Sequence, residues 1–139
     1  MLKGKKINEI KVGDKAEFQK TITETDVYLY AGITGDINPA HINEEASKDT
    51  MFKGRIAHGM LTAGLISAVL GVQLPGPGTI YLGQELKFTK PVRFGDTIKA
   101  VAEVIEIIEE KNKVILNTTC YNQNEEVILK GTATVMPPK

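Results

Sequence analysis

Apolar positions change their spacing twice along this chain. From Lys15 to Ile22 (KAEFQKTI) apolar and polar side chains alternate, the period of a strand with one buried face. The next segment, TETDVYLYAGITG, loses that alternation and predicts a helix. Thr23 is placed to cap it, Asp26 three residues on stands in for the usual Glu or Gln of a capping box, and Gly32 and Gly35 lie near its end. Residues 58–71 (HGMLTAGLISAVLG) differ in kind. Met60, Leu61, Leu65, Ile66, Ala68, Val69 and Leu70 leave no polar face, and only Thr62 and Ser67 interrupt them, both able to bond back to the backbone. A helix apolar all round is a buried helix. At about 1.5 Å per residue it runs roughly 21 Å, too short to cross a membrane. Other elements must therefore wrap it.

The wrapping follows downstream. TIYLGQELKFTKPV (79–92), DTIKAVAEVIEIIEE (96–110), KVILNTTCYNQ (113–123) and VILKGTATVM (127–136) alternate over long stretches and are joined by the short polar turns RFGD, EKNK and QNEE. Short turns between consecutive strands imply antiparallel pairing. One face of this meander carries Ile80, Leu82, Leu86 and Phe88, then Ile98, Ala100, Ala102 and Val104. The pattern predicts an α+β chain forming one domain over residues 1–139: a curved antiparallel sheet folded around a buried central helix, the hotdog architecture. Long strands leave a sheet edge that is usually paired, so at least a homodimer is expected.

Composition narrows the function classes. The 139 residues carry 17 basic and 17 acidic side chains, a formal net charge of zero, with no basic stripe, so nucleic acid is not an expected partner. The basic cluster KGKK at 3–6 reads as a solvated tail. One cysteine, Cys120, excludes an intrachain disulfide and suits a reducing cytoplasm; its strand-like setting points to a buried, inert thiol. No signal-peptide pattern opens the chain and no apolar run reaches membrane length, so a cytoplasmic protein without a membrane partner is expected. The only histidines are His41 and His58, with no CxxC or HxxxH spacing, and no metal or redox cofactor is expected.

Candidate chemistry concentrates in AGITGDINPAHINEE (31–45). Pro39 disfavours a helical Asn38, while Asn38 is a good N-cap and Pro39 suits the first helical position, so a short helix should start there. His41 then falls in the first turn and Asp36 just outside it, both near the positive helix end, which favours an ionised carboxylate and a neutral imidazole. Such a pair on a stiff loop suits the positioning and deprotonation of one water. The plain alternative makes Asp36 a cap, Asn38 a turn former and His41 a surface histidine. A second element tips the balance: GRIAHGM (54–60) brings the chain to the start of the buried helix, where free N–H groups near Gly59 and Met60 have no intrahelical partner and a glycine admits close approach. That is the recipe for an oxyanion hole. His58 beside it reads as a packing or capping residue.

With YAGITGDINPAHINEEA (30–46), GRIAHGM and YLGQELKFTKPVRFGD (81–96), the chain closely resembles the MaoC-like R-specific enoyl-CoA hydratases over nearly its whole length. The resemblance implies a dimerising hotdog subunit with Asp36 and His41 as the catalytic pair, Asn38 shaping the loop, Gly59 donating its N–H to a thioester oxygen, and Phe88 contacting an acyl-CoA; an alternating strand phenylalanine is otherwise plain core. Ala40 stands where the family generally has a larger aliphatic residue, and Gly64 where some members place a serine that assists the pair. The implied reaction adds water across a trans-2-enoyl thioester. Rivals are dehydration of a 3-hydroxyacyl thioester on acyl carrier protein, hydrolysis by a hotdog thioesterase, and a silent acyl-CoA-binding subunit. Residues 59–71 hold no Asp or Glu, which counts against hydrolysis. Arg55, Lys87, Lys90 and Arg93 are candidates for nucleotide phosphates or, more plainly, surface charges.

Overall fold

In the computed structural model, which describes residues 2–139, a six-stranded antiparallel sheet curls around one helix. β1 (Lys15–Thr21) passes into α1 (Glu24–Thr34) through a closed capping box: the Thr23 hydroxyl accepts from the Asp26 amide (3.1 Å) and the Asp26 carboxylate accepts from the Thr23 amide (2.9 Å). Gly35 ends α1 in the left-handed region at φ 80°. The helix expected from Pro39 onward is cut into two single turns, α2 (Pro39–Ile42) and α3 (Glu44–Ser47). Asn43 is the break: it closes the first turn, and its side chain accepts from the Ala46 amide (3.0 Å) to start the second. A dipole summed over one turn is small, so the positive end expected beside Asp36 and His41 contributes little.

The central helix, α4 (Gly59–Val72), turns Thr62, Ala63, Leu65, Ile66, Val69 and Leu70 into the core. Around it run β2 (Ile80–Gln84), β3 (Lys87–Phe88), β4 (Thr97–Ile108), β5 (Lys113–Tyr121) and β6 (Val127–Met136), in the order β1-β4-β5-β6-β2, with β3 also on β6. Alternation is read faithfully in β4, where Ile98, Ala100, Ala102 and Val104 all lie at 1% exposure or less. Full burial of an Ile or Leu such as Ile98 or Leu116 contributes about 1.5–3 kcal/mol. Beyond Val104 the β4–β5 register skips Ile105, a bulge that bends the strand around α4. Curved sheet and enclosed helix together are the hotdog fold.

Two expectations are corrected. The segment 79–92 is neither one strand nor a neighbour of 96–110: β2 and β3 pair with β6, whereas β4 pairs with β1 and β5. Residues 89–96 instead carry the chain across the end of the sheet, held by Ala57 N–H to Val92 O (2.8 Å) and Gly95 N–H to Ile22 O (2.7 Å). A bulge at Leu82 breaks the alternation, so Ile80, Tyr81 and Leu82 are all exposed. Second, α4 is not wrapped on every side. Met60, Gly64, Ser67 and Gly71 form an exposed stripe at helical spacing that this chain's own sheet does not cover.

Candidate active site

The corner at residues 36–41 is built by short-range bonds. The Asn38 side chain accepts from the Ala40 amide (3.0 Å), Pro39 occupies the first helical position, and an Asp36 carboxylate oxygen accepts from the Asn38 amide (3.3 Å). The segment 56–58 then docks onto this corner. Ile56 donates its N–H to Ala40 O (3.0 Å), and its carbonyl meets His41 Nδ1 at 2.7 Å. A carbonyl only accepts, so Nδ1 carries the proton, and in the neutral ring Nε2 is left as a lone-pair acceptor.

Asp36, His41, Gly59 and Phe88 line one cavity of about 510 Å³, with Met51, Phe52, Val92 and Leu129 supplying apolar wall. The acid–base candidates and the start of α4 thus share one space. Asn38 does not line it; its side chain is engaged in the cap. Gly59 is the first residue of α4 and is exposed. A Cβ there would lie 2.7 Å from the Phe88 ring, so glycine is what lets that ring pack over the helix start.

Two further residues belong to this site. His58 is 2% exposed, and its Nε2 donates to the Asp36 carbonyl at 2.9 Å. Its ring packs between Tyr30 (centroids 4.6 Å apart) and His41 (3.9 Å). It makes no side-chain cap for α4, which corrects the capping half of the expectation. Thr62 also lines the cavity; its buried hydroxyl lacks a hydrogen-bond partner and does not bond back to the helix. The sequence signal for His58 was its place directly before Gly59; for Thr62 it was a polar residue in the first turn of an otherwise apolar helix.

Asp36, His41 and His58 bring potential ligand atoms within 4.8 Å of one another. Geometry argues against a cation. The two imidazole planes are stacked with 33° between them, and nitrogen lone pairs lie in the ring planes, so they run side by side rather than to a common point. The cluster suits proton handling.

Of the cationic candidates, Arg55 is already engaged. Its guanidinium donates to Glu24 (2.8 Å) and Glu44 (3.1 Å) and stacks on Phe94, tying α1 to α3. Hydrogen bonds from Tyr28 and then from Arg55 hold the Glu24 carboxyl below its usual range. Lys90, at the cavity wall, pairs with Glu126, and Arg93 donates to Phe52 O. Cys120 is fully buried, which pushes its thiol up to about 12, as an inert core residue requires.

The chain is similar to several known proteins. An (R)-specific enoyl-CoA hydratase of Rhodospirillum rubrum is 54% identical over 130 residues, covering 94% of this chain and 90% of the relative. A 3-hydroxybutyryl-CoA dehydratase of Methylorubrum extorquens is 47% identical over 94% of this chain and 83% of its own. The unliganded R-hydratase PhaJ1 of Pseudomonas aeruginosa superposes with a TM-score of 0.92 at 46% identity, covering 98% of this chain and 87% of that one. The MaoC like domain matches residues 7–127, and on these grounds the chain belongs to the MaoC-like dehydratase family.

Proposed function

We propose that this chain is an (R)-specific enoyl-CoA hydratase, adding water reversibly to a trans-2-enoyl-CoA to give the (R)-3-hydroxyacyl-CoA. The observation that carries the reading is the shared cavity: a carboxylate and the open Nε2 of His41 on one side, the first amide of α4 on the other. His41 Nε2 takes a proton from a water whose second O–H is accepted by Asp36. The oxygen adds to C3, and the proton held by the ring is returned at C2. One water is consumed, and no electrons enter or leave. The negative charge that develops on the thioester oxygen meets Gly59 N–H, a donor of a kind worth about 3–4 kcal/mol in acyl chemistry. Apolar Phe88, Phe52 and Val92 would hold the acyl chain. The same groups run the dehydration. Neither Asp nor Glu occurs on α4, which disfavours hydrolysis.

Asp36→Asn and His41→Ala should each lower crotonyl-CoA hydration by about 10²–10⁴-fold while the chain still folds, and the wild-type product should be the R isomer. Near-normal rates in both variants would reject the site. A thiol-release assay should show no hydrolysis, and comparing CoA with carrier-protein thioesters sets the carrier.

The working unit is a homodimer. The two sheet edges differ in kind: β1 carries Lys15, Glu17 and Lys20, whereas β2 offers exposed, uncharged Ile80, Tyr81 and Leu82. Charge blunts an edge, and an apolar edge pairs. Leu82→Asp should halve the mass measured by light scattering; an unchanged mass would place the interface elsewhere. Among the described residues no helix is long and apolar enough to cross a membrane. A lone buried cysteine fits a reducing compartment, and we assign the enzyme to the cytoplasm.

A further inference from the structure

We infer that His58 is a positioning residue: it bolts the Asp36–His41 corner to the start of α4, so that the acid–base pair and the Gly59 amide keep one fixed separation. The inference rests on the hydratase reading above.

Three observations converge. The Nε2–H of His58 donates to the Asp36 carbonyl at 2.9 Å, fixing the backbone of the residue whose carboxylate lines the cavity. The ring also packs at 3.9 Å and a tilt of 33° against His41, the imidazole whose Nδ1 is already fixed by Ile56 O. Finally, His58 directly precedes Gly59, with extended backbone (φ −60°, ψ 133°), so the peptide joining the two carries the first amide of α4. Its side chain thus holds the acid–base half, 22 residues away in sequence, while its backbone leads directly into the amide half.

Packing alone does not explain a histidine here. The residue is 2% exposed, and its other nitrogen, Nδ1, is buried without a hydrogen-bond partner. An apolar ring would fill the same space between Tyr30 and His41 without burying an unsatisfied nitrogen. What the imidazole adds is the Nε2–H aimed at Asp36 O. Reacting groups need placement to about half an ångström, and a displacement of about 1 Å can cost 10²-fold in rate.

The test uses the full chain and three substitutions, read as kcat and KM on crotonyl-CoA with the thermal midpoint alongside. His58→Phe keeps the stacked ring and loses the donor. His58→Gln keeps an amide N–H near the place of Nε2 and loses the ring. His58→Ala loses both. Expected for His58→Phe is a fall in kcat of about 10–100-fold with KM nearly unchanged, and His58→Gln should recover most of that loss. Wild-type kcat in His58→Phe, or equal losses in Phe and Gln, would overturn the inference. Should the Phe variant fail to fold, Gln against Ala decides: Gln near wild type supports the bolt, and Gln as slow as Ala refutes it. Asp36→Asn and His41→Ala are run in parallel. If both retain wild-type activity the hydratase reading itself fails; if they are dead while His58→Phe is normal, only the role of His58 fails.

Discussion

On one side of the cavity, the Asp36 carboxylate accepts from the Asn38 amide two residues on, and His41 and His58 each donate to a backbone carbonyl in another segment of the chain. On the other, Phe88 belongs to a two-residue strand whose backbone is pinned to β6 while its ring stays half exposed. Both walls belong to one space, yet they are stiff in different ways. The polar wall fixes side-chain atoms, as proton transfer requires. The apolar wall fixes only the backbone and leaves the side chain able to adjust, which suits contact with an acyl chain. Substitutions on the polar wall should therefore act on kcat, and those on the apolar wall on KM.

After the polar wall itself, the largest effect belongs to the seam between the walls. Gly59→Ala places a methyl 2.7 Å from the Phe88 ring. Because that ring is half exposed it can swing aside, so the fold should survive with a near-normal melting temperature. Activity should not: crowding at the amide proposed to meet the thioester oxygen is expected to lower kcat/KM by about 10²-fold. Combining it with Phe88→Ala gives the methyl room, so the double variant should lose less than the sum of the two single losses, a coupling that steady-state kinetics reads directly. Strict additivity would mean that the walls do not meet at Gly59.

Phe88→Ala alone is the milder change. It removes apolar surface that substrate and transition state would touch alike, so KM for crotonyl-CoA should rise by roughly tenfold, about 1.4 kcal/mol, with kcat near wild type. A fall in kcat at constant KM would place Phe88 in the chemistry instead and erase the distinction between the walls.

The polar wall was also the more legible one in the sequence, for a physical reason. Asn38, Pro39 and Asp36 act over two or three residues, so cap and turn chemistry can be read from order alone. The capping box of Thr23 and Asp26 was legible for the same reason. Alternation in β4 likewise named its buried face. Pairing was legible only where short turns join the strands, as in β4–β5–β6: alternation tells which residues share a face, never which strand lies alongside, and β2 finds its partner in β6 far along the chain. The Leu82 bulge then shifted a pattern that looked regular. His58 escaped because its partners Asp36 and Tyr30 are distant in sequence and its role exists only in the folded corner.

The exposed stripe of α4 was misread because small and apolar residues look alike whether their own sheet or a second subunit covers them, and Gly64 gives the smallest but most discriminating test. Nothing lies within 4 Å of where its Cβ would sit. Gly64→Ser should therefore meet no clash within the chain, and relief of the helix-interior glycine penalty should raise stability by about 0.5 kcal/mol. Thermal unfolding at several protein concentrations checks this. A rise independent of concentration means that the stripe faces solvent or substrate and that the dimer is built on the β2 edge alone. A fall that deepens on dilution means that a second copy closes over α4 so tightly that even a hydroxymethyl group is excluded, which would move part of the interface from the sheet edge onto the helix.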